Sequence, residues 1–398
     1  MPRPLTILAL CLSLTGLIPS ALGGEVRIWT NNDGVEIEAS YVRASETQVT
    51  LKMKSNGKEY EVPLSHLSES DVDYVKAQRA ARAAAGAEEE EAALEFENWD
   101  RDWPKLISGN VSPEIEIVEE NEEAKRFVYH SPRYEFICDV ELSKSVVKRF
   151  AVLFEATNEY VRELPLSMAK AHRDKRHKIL LFETKESYFR NGGPQGSAGV
   201  YMSRNDVIMV PLTSLGVEKG AGGYRVDHDK TNKTLPHEIL HQLTDMAYFA
   251  PGSMGWFTEG LAEYVAVTPY RSGKFIVRGN QRAIEEYVAA SGEDNTGGRA
   301  LGREIKVPDL RAFMLQDYGS FTGNANFNYG IGLLITYYFC HWDGDEEAKR
   351  LKSFLKGLKQ GKRGDEALEL LLDGRSWDEM EKEIAKAWSP RGINLEFQ

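Results

Sequence analysis

The segment His237-Glu238-Ile239-Leu240-His241 constrains this chain more than any other. It asks for a helix, because residues four apart on a helix share a face about 6 Å along the axis. Two imidazoles at that spacing can grip one metal ion. Thr234 is placed as the N-cap and Pro236 in the first turn, where its missing N–H is harmless. Glu238 lies about 100° round the helix from His237. From there it reaches a metal-activated water without taking a coordination position, as a general base must.

A second helical segment, Trp256-Phe257-Thr258-Glu259-Gly260-Leu261-Ala262-Glu263-Tyr264, carries carboxylates four apart. Glu259 and Glu263 share a face, so one can ligate the metal while the other supports a histidine. With 17 residues between His241 and Glu259, the pair of motifs resembles the gluzincin superfamily of zinc peptidases, the thermolysin and aminopeptidase N relatives. The resemblance spans about Phe127 to Trp388, and the two motifs carry it. It implies one zinc ion per chain held by His237, His241 and Glu259, Glu238 as catalytic base, and Glu263 accepting a hydrogen bond from a ligating histidine.

The same resemblance implies a phenol or imidazole that donates to the oxyanion of the tetrahedral intermediate. Tyr329, in Asn328-Tyr329-Gly330-Ile331-Gly332, is the candidate, with Tyr264 and Tyr201 as alternatives. The glycines follow this Tyr by one and three positions, unlike the Tyr-x-x-Gly of the aminopeptidases. Their amine-binding Gly-x-Met-Glu-Asn segment is also absent. In its place Gly199-Val200-Tyr201-Met202 leads into a strand from Val207, an edge that can pair with an extended peptide but anchors no terminus.

At 398 residues the chain exceeds one ordinary core, so a large domain plus a smaller unit is expected. Residues 26 to 75 read as short strands broken at Asn32-Asp33-Gly34 and Asn56-Gly57, a small antiparallel barrel. Trp29, Asp33-Gly34, Gly57-Lys58, Val62-Pro63-Leu64-Ser65 and Leu67-Ser68 resemble the Sla-one homology domain, an SH3-like module. That family uses the module as an adaptor, which implies a binding or positioning role but no particular ligand; a protein or wall component is one it could take, and a spacer that binds nothing is the competing reading. Next comes a stretch rich in Ala and Glu with little apolar periodicity, read as a solvated helical linker.

Tyr134, Phe136, Cys138 and Val140 alternate as a half-buried strand does, and Ser143 offers an N-cap for a helix to about Leu164. Lys178 to Phe182 and Val207 to Leu212 are further strands. Ser272 to Gly302 reads as a surface excursion, a lid or a loop, with one helical piece near Gln281 to Ala290. Four helices, parted near Asp343-Gly344, Gly361 and Gly374-Arg375, fill Asn328 to Trp388.

The expected class is α+β. The segments are a signal peptide (1–23), a small SH3-like β-barrel (24–76), a charged helical linker (77–104), a zincin-like mixed sheet with active-site helices (105–270), a long insert (271–327) and a C-terminal helical part (328–398).

The opening residues, with Arg3, an apolar run from Leu5 to Leu17 and Ala21-Leu22-Gly23, have the pattern of a secretory signal, so a secreted or periplasmic protein is expected. The rivals are an uncleaved anchor and a lipoprotein. No later segment reaches the roughly 20 apolar residues of a membrane-spanning helix. A net charge of -12 argues against nucleic acid as a partner. Cys138 and Cys340 either pair or sit as small buried hydrophobes. Of the other histidines, His66, His130, His172, His177 and His341 are read as structural or surface groups, and His228 as a loop residue or a second donor.

The expected function is an exported zinc metallopeptidase acting on a peptide or protein. Two alternatives stand beside it: a non-catalytic envelope or wall binding protein with a retained zinc site, and a zinc hydrolase of a non-peptide amide or ester. Structural zinc sites close with four protein ligands, often cysteines, and the residues here number three without cysteine, which favours catalysis.

Overall fold

The computed structural model describes residues 26–32, 34–80, 97–170, 175–227, 233–249, 255–289, 298–344 and 347–398. The expected signal segment, Asp33, most of the linker, His172 and His228 lie outside them. The chain divides into two compact units, Met1–Ala92 and Ala93–Gln398.

In the first unit β1 (Arg27–Thr30), β2 (Glu36–Ala44), β3 (Gln48–Met53) and β4 (Glu59–Pro63) form an antiparallel meander in sequence order. Gly57 takes φ +67°, the left-handed conformation that the β3–β4 turn requires. Trp29, Ala39, Tyr41, Val49 and Leu51 make the core, and the Trp29 indole donates to Ala39 O at 2.9 Å. This small sheet is compatible with the SH3-like module expected here. Beside β1 the returning chain forms one bridge, Asn31 to Leu67, before Ser68 begins a helix, α1, at residues 69–80. Buried Asp71 on α1 accepts from Arg27 and from the Thr30 N–H, both at 2.7 Å. The helix is thus tied to β1 just past the point where the chain bridges back to it.

The second unit begins with β5 (Ile107–Ser108), then β6 (Glu116–Asn121), β7 (Arg126–His130), β8 (Tyr134–Cys138), α2 (Lys144–Glu163), β9 (His177–Phe182), α3 (Lys185–Arg190), β10 (Val200–Met202) and β11 (Val207–Pro211). Its main sheet has the order β10-β11-β9-β8-β7-β6. β8, β9 and β11 are parallel, while β10 is an antiparallel edge. Ser143 caps α2 through Val146 N, and α2 turns Phe150 and Phe154 onto Phe136 of the sheet. The strand expected from the alternation of Tyr134, Phe136 and Cys138 is β8, and residues 131–133 turn the chain back to it from β7.

After the small β12 (Val217–Gly220) and β13 (Gly223–Val226) hairpin come α4 (Thr234–Leu243) and α5 (Gly255–Val267). The α4 helix packs on α2, β10 and β11, and α5 packs on α4. Thr234 is the first residue of α4 rather than its cap. Lys233 holds the cap position, with no side-chain cap bond. Every residue of α5 is buried.

Then follow β14 (Tyr270–Arg271), β15 (Lys274–Phe275), α6 (Asn280–Ala289), β16 (Glu304–Val307), α7 (Leu310–Met314) and α8 (Tyr318–Gly323). Ser272 to Gly302 was expected to run over the surface. Instead its Phe275, Ile284 and Val288 are buried in the main core, as are Phe313 and Phe321 further on, and α6 packs on α5. Likewise Trp99 and Trp103, placed in the linker by the sequence reading, are core residues, and Asn98 donates to Arg162 O and Leu164 O.

The chain ends in α9 (Ala325–His341), α10 (Lys349–Lys359), α11 (Gly364–Leu372), α12 (Trp377–Trp388) and β17 (Asn394–Phe397), which pairs parallel with β16. Cys138 and Cys340 are buried free thiols. Among the described residues no helix is long and apolar enough to cross a membrane.

Two glycines let α9 lie against α5. A Cβ on Gly260 would stand 2.4 Å from Gly332 O, and one on Gly332 would stand 2.8 Å from Trp256 O. Both obstacles are backbone, so neither can rotate away. Gly260→Ala is therefore expected to cost about 1–3 kcal/mol by overpacking, read as a lower denaturant midpoint. An unchanged midpoint would show that the helices separate freely.

Candidate metal centre

The α4 helix presents His237 and His241 on the face toward α5, where Glu259 and Glu263 lie one turn apart. His237 Nε2 is 3.0 Å from Glu259 Oε2 and 3.1 Å from His241 Nε2, and His241 Nε2 is 3.3 Å from the same carboxylate oxygen. All three residues are buried, and among the described residues they are the group able to hold a metal ion. Ligand atoms about 2.0–2.1 Å from a tetrahedral zinc stand roughly 3.3 Å from one another, so this triangle fits one face of such a site. Two imidazoles and a carboxylate also suit zinc chemically.

The opposite side of His237 is equally specified. Its Nδ1 is 3.0 Å from Glu263 Oε1. Glu263 further accepts from the Tyr287 hydroxyl at 2.7 Å and Arg299 Nε at 3.1 Å, with Arg299 Nη2 2.8 Å from its other oxygen. Burial works to raise the Glu263 carboxyl, yet His237, Arg299 and Tyr287 hold it below its ordinary value. As an anion it accepts a hydrogen bond from Nδ1–H, which leaves the Nε2 lone pair toward the cluster. Burial also lowers the imidazole of His237, but the bonds and charges of Glu259 and Glu263 outweigh it and raise it to about 10. Glu259, against the same burial, is held well below the carboxylate range by the two imidazoles. The site thus favours positive charge at His237 Nε2, whether from a proton or a metal ion.

Glu238 is half-buried beside the cluster, and its Oε2 accepts from the backbone N–H of Tyr201 on β10 at 2.7 Å. Desolvation raises its carboxyl. Tyr329, in the first turns of α9, stacks on His237 with ring centroids 5.9 Å apart and planes 14° from parallel. Burial and then the Glu259 charge push its phenol up, so it stays protonated and able to donate.

The hydroxyls of the two alternative donors are engaged elsewhere. Tyr264 points from α5 into the core, where its hydroxyl accepts from the Trp103 indole at 2.9 Å and is 3.1 Å from His341 Nε2. The Tyr201 hydroxyl donates to Asp206 at 2.9 Å. His130 is 3.1 Å from Glu135 Oε2.

Sequence reasoning missed Tyr287, Arg299 and Tyr318. Tyr318, on α8, donates its hydroxyl to Glu259 Oε1 at 2.8 Å. No motif marks these three, because each comes from a segment without a distinctive spacing.

Fold and site together define an α+β chain whose larger unit carries a buried His₂Glu group able to hold a metal ion. The family model SLA1 homology domain 1 matches residues 21–82, in agreement with the SH3-like reading of the N-terminal module. No curated protein and no solved structure matches the chain.

Proposed function

We propose that residues 93–398 form an exported zinc metallopeptidase of gluzincin type. One observation carries the reading: three buried ligand atoms, 3.0–3.3 Å apart, lie beside a carboxylate that belongs to none of them. A bound zinc ion supplies Lewis acidity to water and to a substrate carbonyl. Glu238, its pKa raised by desolvation, takes the proton of the attacking water and delivers it to the leaving amine. Tyr329 donates its phenolic proton in a hydrogen bond to the oxyanion, and Glu263 holds His237 in the tautomer that ligation needs.

The edge strand β10 supports a peptide substrate. Its Tyr201 N–H donates to Glu238, so this edge of the sheet runs alongside the base, where an extended chain can pair. The N-terminal module, by its family likeness, serves as a protein-binding or positioning unit. The test is elemental analysis of the purified wild-type chain followed by incubation with a peptide library. About one zinc per chain and cleaved peptides are expected. Zinc without cleavage would point to a binding protein or to a non-peptide substrate, and no zinc after zinc is supplied would remove the reading altogether.

A further inference from the structure

We propose that Tyr318 is a positioning residue that holds Glu259 to one-oxygen ligation and so keeps the remaining coordination positions open for water and substrate. The inference rests on the zinc reading above. The two oxygens of Glu259 are used differently. Oε2 faces both ligating imidazoles, at 3.0 and 3.3 Å, whereas Oε1 accepts the Tyr318 hydroxyl at 2.8 Å.

A carboxylate with both oxygens free can close on a metal ion through both, filling a position that catalysis needs. A hydrogen bond to one oxygen favours the other as ligand and gives the carboxylate a set orientation. Tyr318 is well placed for this. Its helix, α8, is anchored through Phe321, which packs against Gly255 at the start of α5 and stacks on Tyr329 at 5.9 Å. Asp317 caps α8 through Ser320 N at 3.0 Å. The tyrosine itself is 54% exposed while its hydroxyl reaches a carboxylate that is 2% exposed.

Tyr318→Phe removes the donor alone, and because the ring is half in solvent the variant should fold, which near-UV circular dichroism checks. Zinc affinity is measured by competition with a chromogenic chelator, and the visible spectrum is recorded on the cobalt(II)-substituted full chain. The variant is expected to bind zinc about 10–100-fold more weakly. Its cobalt absorption should weaken, since visible bands lose intensity as coordination number rises. Unchanged affinity with an unchanged cobalt spectrum would overturn the inference and leave the zinc reading standing. A wild-type chain that takes up neither metal would overturn both.

Discussion

Glu238→Gln is expected to leave zinc content at the wild-type level and to lower peptide hydrolysis by about 10²- to 10⁴-fold, the range that loss of a general base produces. The substitution is a clean one for structural reasons. Glu238 accepts the Tyr201 N–H at 2.7 Å, and a glutamine carbonyl can accept the same bond, so the join between α4 and β10 survives. The ligand atoms belong to His237, His241 and Glu259, and none is altered. Basicity alone is lost. Retained hydrolysis would place the base elsewhere, and loss of metal would make Glu238 a part of the binding site. For a chain that only binds, the same variant would change no function at all.

Glu259→Ala acts on the other half of the site. It removes the carboxylate oxygen that faces both imidazoles, leaving two protein ligands where catalytic zinc sites use three. Zinc content is expected to fall from about one per chain toward none, with activity falling in parallel. The metal-free variant should also be less stable, by about 3–5 kcal/mol, because the imidazoles keep their burial and lose a paired charge. Metal analysis beside a denaturation curve separates the two effects. Full zinc occupancy in the variant would remove Glu259 from the ligand set, whatever the activity.

Much of the candidate site was legible because its signals are local. The i, i+4 spacing places His237 with His241 and Glu259 with Glu263 on helix faces in any fold that makes those segments helical. The first module was legible strand by strand, since alternation and turn residues such as Asn56-Gly57 act over a few positions. The four C-terminal helices were legible from their periodicity and their glycine breaks.

The segment after Pro269 was misjudged for the opposite reason. Its Gly, Ser and Asn content speaks of turns, yet its few apolar residues, Phe275, Ile284 and Val288 among them, are long-range core contacts. The module's return to β1 was less legible, since the Asn31 to Leu67 bridge joins residues 36 apart before the cap at Ser68 starts a helix.

The sequence by itself determined which residues could bind a metal, because ligand type and helical spacing are properties of neighbours along the chain. Only the tertiary structure decided that the α4 and α5 pairs face each other at 3.0–3.3 Å. It alone brought Tyr287 and Arg299 to Glu263 and Tyr318 to Glu259. It also decided that Tyr264, on the same helix as Glu259, belongs to the core. Those choices are made by how helices pack across tens of residues of separation, where the glycines of α5 and α9 set how near two backbones can come.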